Sequence, residues 1–125
     1  MDYIELVKIA YTAAGMAYAP YSDAKVGAAL LTDDGSVYTG CNIENSSYGA
    51  TICAERAAVS KAVSDGKRSF TAIAIASNLD GFTYPCGICR QVLAEFSPDM
   101  DIVLCDGNEI KAVRLSEIFP NAFKL

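Results

Sequence analysis

Hydrophobic and polar positions along this chain switch between two periods, and each switch marks an element. Asp2-Tyr3-Ile4-Glu5 has the spacing of a capping box, an acidic cap with a glutamate three residues on. Beyond it Ile4, Val7, Tyr11 and Ala14 share one helical stripe, which predicts a helix to about Ala17. Pro20 ends any helix, so residues 18–23 read as loop. Small and branched apolar residues from Lys25 to Thr32 predict a buried strand. Asp33-Asp34-Gly35 supplies a tight turn, and Ser36 to Asn42 returns as the second arm of a hairpin. Residues 45–51 are polar and loop-like. A second helix opens at Cys53, keeps an apolar face to Val63 and closes near Gly66. Phe70 to Ala76 predicts a strand, 78–85 a loop, Cys86 to about Phe96 a third helix, and Asp101 to Cys105 a further strand.

The next turn decides the topology. Asp106-Gly107-Asn108 leads straight into Glu109 to Arg114, so the last two strands must pair antiparallel. A parallel pairing would need a crossover of about a dozen residues. A short helix is expected near Leu115 to Phe119. The order α-β-β-α-β-α-β-β then predicts an α/β fold, a mixed sheet with helices packed on it. At 125 residues, without repeats or a linker, residues 1–125 are expected to form a single domain.

Composition narrows the partners. Hydrophobic residues make up 52% and charged residues 20%, which describes a globular chain and not a disordered one. The net charge of −5 offers no electrostatic footprint for a phosphate backbone, so no nucleic-acid partner is expected. The longest aliphatic run, Val26 to Leu31, falls far short of the ~20 residues that span a bilayer, so no membrane partner is expected either. The acidic N-terminus lacks the basic start and apolar stretch of a signal peptide. Five cysteines do not make a secreted disulfide framework. The expected location is the cytoplasm.

The chain has no histidine, which removes the commonest metal ligand and the commonest general base together. Its chemistry then rests on cysteine and carboxylate. Cys53-Ala54-Glu55 and Pro85-Cys86-Gly87-Ile88-Cys89 place three cysteines at the starts of two predicted helices. Helix N-termini carry positive partial charge, which favours thiolate over thiol. Three sulfurs on one Zn²⁺ leave a fourth position open, the habit of catalytic and not of structural zinc. Three thiolates also leave the cluster one negative charge in excess, which Arg56 can offset by bonding to sulfur. Glu55 lies too near Cys53 to be a fourth ligand, but near enough to exchange protons with water at the metal. Taken singly, Glu55 is also an ordinary helix-start carboxylate, and C-x-x-C is also a redox motif. Cys41 and Cys105, each ending a predicted strand, read as core filling.

With these residues in view, the chain resembles the small zinc-dependent cytidine deaminases. The likeness rests on Met16-Ala17-Tyr18-Ala19-Pro20-Tyr21-Ser22, Val26-Gly27-Ala28-Ala29-Leu30-Leu31, Gly40-Cys41-Asn42-Ile43-Glu44-Asn45, Cys53-Ala54-Glu55-Arg56 and Pro85-Cys86-Gly87-Ile88-Cys89-Arg90-Gln91-Val92. It runs from about residue 15 to Phe123. The resemblance implies a three-layer α/β/α fold with a five-stranded sheet, one zinc per subunit, and a homotetramer whose neighbours complete each other's pockets. It implies hydrolysis of cytidine and 2′-deoxycytidine to uridine and 2′-deoxyuridine with release of ammonia, as a step of pyrimidine salvage. Cys53, Cys86 and Cys89 would hold the zinc and Glu55 would carry protons. The backbone at Ala54 would hold the pyrimidine edge, and Asn42 and Glu44 would contact the ribose. Two residues apart on a strand, an amide and a carboxylate would point the same way. Tyr48 and Phe123 would reach across subunits, and Gln91 would support the metal site. The chain departs from the pattern at Tyr21-Ser22-Asp23-Ala24, where many relatives carry an aromatic residue in place of Ala24. A sister deaminase for a cytosine-containing antibiotic nucleoside, and a zinc-stabilised scaffold without catalysis, are the competing readings.

Overall fold

The structure, a computed structural model describing residues 1–125, is organised around one sheet of five strands, which numbered along the chain lie in the order 2-1-3-4-5. β1 (Val26–Thr32) and β2 (Val37–Cys41) form the expected antiparallel hairpin, closed by Gly35 at φ +88°. β3 (Phe70–Ser77) runs antiparallel to β1 but parallel to β4 (Asp101–Cys105). That parallel pair needs a crossover, and α3 (Gly87–Phe96) supplies it. β5 (Ile110–Arg114) returns antiparallel to β4, as the short turn demands. A one-turn helix, α4 (Leu115–Ile118), follows.

Helices cover both faces of the sheet, giving three layers. Along β3 and β4, Ile73, Ile75, Ile102 and Leu104 join the cluster under α2 (Ala54–Ser64) and α3. Their neighbours Ala72, Ala74, Ala76, Val103 and Cys105 join the cluster under α1 (Tyr3–Ala14). This is the two-residue alternation of a strand buried on both faces. Each fully buried Ile or Leu contributes about 1.5–3 kcal/mol. The α1 side is lined mainly by alanine, so its layer is thin and its helix lies close.

That closeness corrects the expectation for α1. Asp2 caps the helix as expected, accepting the Glu5 N–H at 2.8 Å. The buried stripe, however, is Leu6, Val7, Ala10 and Ala14, and the helix ends at Ala14 and not Ala17. Ile4 and Tyr11 remain 58% and 37% exposed. The reason is Gly27 on β1. A Cβ there would lie 2.1 Å from the Ala10 carbonyl oxygen, so helix and strand backbones touch. Only alanine fits at that contact, and the bulky Ile4 and Tyr11 are turned to the margin.

Candidate metal centre and active site

The same device operates on the opposite face and sets the site. A Cβ on Gly40 of β2 would lie 2.3 Å from the Ala54 carbonyl oxygen and 2.6 Å from the Ala58 nitrogen. The first turn of α2 therefore rests directly on β2. Cys53 is the N-cap of α2 and Cys86 the N-cap of α3, and neither side chain bonds back to its own helix. Cys89 lies in the first turn of α3, buried. All three sulfurs lie within 4.8 Å of one another. The Cys53–Cys86 and Cys86–Cys89 sulfur separations are 3.6 and 3.5 Å. Four tetrahedral ligands at about 2.3 Å from zinc stand about 3.8 Å apart, so the three sulfurs fit that ion with little rearrangement.

Electrostatics fit it as well. The Cys53 thiol is brought down to about 5, chiefly by its hydrogen bond with Cys89, and further by Arg56 and Cys86, against the opposing effect of burial. Cys89 is pushed far up by the same bond to Cys53 and by burial, so without metal the shared proton stays on Cys89. Arg56 Nη2 donates to Cys53 Sγ at 3.6 Å and to the Thr51 carbonyl at 3.2 Å. Its Nε is buried without an acceptor. A cluster of three thiolates carries excess negative charge, and this guanidinium stands against it with donor capacity to spare.

Glu55 is only 4% exposed. Burial pushes its carboxyl up to about 7, and the nearby Cys53 adds to the rise. It lines a cavity of about 200 Å³ with Asn42, Cys53, Ala54, Thr83 and Tyr84, among others. A group poised near neutrality beside a metal-binding cluster is suited to taking a proton and returning it. A cap carboxylate serving only the helix dipole has no such need of burial.

The remaining expected residues fall into two sets. β2 ends at Cys41, so Asn42 and Glu44 flank Ile43, which makes isolated bridges to Tyr18 and Ile52. Their side chains brace the segment before β1. Asn42 accepts from Val26 N at 2.8 Å and donates to the Ala24 carbonyl at 2.7 Å. Glu44 Oε1 accepts from Tyr21 N and Ser22 N, and Oε2 from the Ser22 hydroxyl. Glu44 and Tyr48 border a second cavity of about 360 Å³. Tyr48 stacks edge-on against Tyr21 at 6.0 Å and is 76% exposed, while Phe123 is 68% exposed. The Gln91 amide donates to the Phe123 carbonyl at 3.1 Å, and no hydrogen bond joins it to the sulfurs. Of the two cysteines read as core filling, Cys105 is buried and Cys41 only half so.

Thr83 and Tyr84 escaped the sequence reading, since loop residues carry no period. Arg90 stands in the cysteine motif without an expected role of its own. Its Nε donates to the Pro85 carbonyl at 2.8 Å and its Nη1 to the Ile118 carbonyl at 2.6 Å, tying the metal loop to α4.

A buried carboxylate beside three convergent sulfurs, on a three-layer mixed sheet, is the arrangement of a metal-dependent hydrolytic site. Residues 2–105 match the family model described as the cytidine and deoxycytidylate deaminase zinc-binding region. A cytidine deaminase of Sporosarcina psychrophila is 48% identical, covering 98% of this chain and 92% of its own length. A cytidine deaminase of Halalkalibacterium halodurans is 50% identical, over 98% and 95% of the two chains. The crystal structure of cytidine deaminase from Burkholderia pseudomallei superposes with a TM-score of 0.94 at 43% identity, covering 98% of this chain and all of the other. The chain belongs to the cytidine and deoxycytidylate deaminase family, and it is an enzyme of that zinc-dependent class.

Proposed function

We propose that this enzyme hydrolyses cytidine and 2′-deoxycytidine to the corresponding uridines and ammonia, as a step of pyrimidine salvage. The observation that carries the proposal is Glu55, buried in a small cavity beside the Cys53, Cys86 and Cys89 sulfurs. When those sulfurs hold zinc, the ion supplies Lewis acidity that makes water a nucleophile near neutral pH. The protein's own groups do the rest. Glu55 takes one proton from the attacking water and delivers it to the pyrimidine ring nitrogen, then takes the remaining proton of the newly added hydroxyl and passes it to the amine, which leaves as ammonia as the carbonyl forms. The backbone at Ala54, in the first turn of α2, orients the pyrimidine edge. Arg56 holds Cys53 as thiolate and offsets the charge of the sulfur cluster.

Sugar recognition falls to Asn42 and Glu44. A carboxylate has about four accepting positions. The loop before β1 occupies three on Glu44, which leaves one for a ribose hydroxyl. Asn42 keeps one amide hydrogen beyond its bond to Ala24. Because the loop braces both side chains, they are oriented before substrate arrives. Exposed aromatic side chains at Tyr48 and Phe123 support a homotetramer in which neighbouring subunits complete the pocket, with residues 1–125 as one catalytic domain. Five free cysteines support a cytoplasmic location. No helix is long and apolar enough to cross a membrane.

The test is an ultraviolet assay of zinc-loaded protein on cytidine, deoxycytidine, free cytosine, adenosine and a cytosine-containing antibiotic nucleoside. Turnover confined to the two simple cytosine nucleosides is expected. Turnover of free cytosine alone would remove the sugar-recognition argument.

A further inference from the structure

The three sulfurs are held in place by unequal means. Cys89 is buried in the first turn of α3, where the helix itself fixes it. Cys53 and Cys86 are helix caps, so the direction of each depends on the two peptide groups that flank it. For Cys53 both groups are held by main chain. The Ile52 carbonyl accepts from Ile43 N at 2.9 Å, and the Cys53 carbonyl from Ala57 N at 3.1 Å. Cys86 is exposed, and the loop before it pairs with no strand.

Arg90 alone supplies both contacts for Cys86. Its backbone N–H donates to the Cys86 carbonyl at 3.0 Å, and its side-chain Nε donates to the Pro85 carbonyl at 2.8 Å. These carbonyls belong to the peptide groups on either side of Cys86, so together they fix its φ of −67° and ψ of 170°. Pro85 is fully buried and lies ahead of the helix, so its carbonyl has no intrahelical donor. No other group of the chain donates to it, and a buried carbonyl left unpaired is costly. The far end of the guanidinium is aimed by the Ile118 carbonyl, which accepts from Nη1 at 2.6 Å where α4 ends. A planar guanidinium holds two acceptors at a set angle, which a flexible ammonium does not.

We infer that Arg90 is the positioning residue for Cys86, fixing the backbone from which that sulfur reaches Cys53 and Cys89. The inference rests on the metal-centre reading in taking Cys86 as a zinc ligand. Arg90 bonds to no sulfur and does not line the cavity beside Glu55. Arg56 thus acts on the charge of the cluster, and Arg90 on its geometry. A ligand aimed in advance holds its ion more tightly and releases it more slowly.

The experiment compares zinc-loaded wild type with Arg90→Met and Arg90→Lys, and with Tyr3→Phe as a destabilised control. Zinc transfer to a chromogenic chelator is timed, and the thiolate-to-metal absorption is recorded after cobalt(II) replaces zinc. Arg90→Met is expected to speed zinc transfer by about 10–100-fold and to change the cobalt spectrum. Arg90→Lys should fall between it and wild type, since one ammonium serves one carbonyl well and not two. Tyr3→Phe should match wild type in both readouts, which separates aim at the metal from general stability. If Arg90→Met does not fold, Arg90→Lys should still speed transfer several-fold. Zinc transfer within about twofold of wild type in the folded variants would overturn the inference, as would an unchanged cobalt spectrum or equal zinc loss from Tyr3→Phe. Failure of both Arg90 variants to fold even with zinc would make Arg90 part of the scaffold alone and overturn it too. Wild type that binds neither metal would sink the metal-centre reading itself, an outcome distinct from all of these.

Discussion

The two faces of the sheet use one packing device for different ends. On one face, Gly27 lets α1 lie backbone-to-backbone against β1; on the other, Gly40 does the same for α2 and β2. Under α1 the contact meets the middle and end of the helix, at Ala10 and Ala14, and closes an alanine-lined layer. Under α2 it meets the start of the helix, at Ala54 and Ala58. A helix start carries free N–H groups, positive partial charge and a cap residue. Close approach at that end therefore places Cys53, Ala54 and Glu55 relative to the sheet, while close approach further along adds only cohesion. What separates packing from positioning here is which part of the helix is pressed against the strand.

The sharpest way to break the comparison is to remove chemistry without disturbing packing. Glu55→Gln keeps the shape of the α2 start and is expected to lower kcat by about 10²–10⁴-fold with zinc content unchanged. Near-normal turnover with full metal would end Glu55's assigned part.

The same substitution sharpens the comparison through pH. Glu55 titrates near 4.5 when exposed and about 7 when folded, because burial disfavours its charge. A group whose folded value is raised supports the fold while protonated, and that support is lost as pH rises through the folded value. In metal-stripped protein, the stability of wild type relative to Glu55→Gln should fall by about 3 kcal/mol between pH 4.5 and 7.5. Denaturant midpoints measured across that range would show it. A flat difference would mean that the carboxylate is not desolvated.

Gly27→Ala and Gly40→Ala test the device itself. Each forces a methyl group against backbone and should cost about 1–3 kcal/mol or more of stability. Their functional effects should diverge: Gly40→Ala loses zinc affinity and turnover, whereas Gly27→Ala keeps both at temperatures where it remains folded. Equal loss of zinc from both variants would erase the distinction between the faces.

The smallest expected effect lies on the α1 side. Tyr3 donates its hydroxyl to Asp101 of β4 at 2.5 Å, and burial with this bond pushes the phenol up to about 12. Tyr3→Phe should cost about 1 kcal/mol in thermal unfolding and leave kcat and zinc content as they were.

The convergence of Cys53, Cys86, Cys89 and Glu55 was legible in the chain because its signals are local. Cys86 and Cys89 are three apart at the start of a helix, so any helix there brings their sulfurs together. Cys53 and Glu55 lie on either side of the first residue of α2, and one cap geometry places both. The antiparallel last pair followed from a turn too short to cross over. Where the reading fell short, a distant partner made the decision. The buried stripe of α1 depended on Gly27 and not on the helix's own pattern. Asn42 and Glu44 look like strand-edge polar residues until the loop before β1 folds onto them. Thr83 and Tyr84 lie in an aperiodic loop, and Ser77 and Lys111, from separate strands, give them a place.

By itself the amino-acid sequence determined the donor set, the carboxylate beside it and the order of elements, since spacing within one helix turn or one hairpin is set by bond geometry. The tertiary structure alone decided how deeply Glu55 is buried, which face of α1 points inward and which side chains wall the cavity. Those depend on contacts between residues far apart along the chain, where only the packed sheet brings Gly40 to Ala54 and Lys111 to Tyr84.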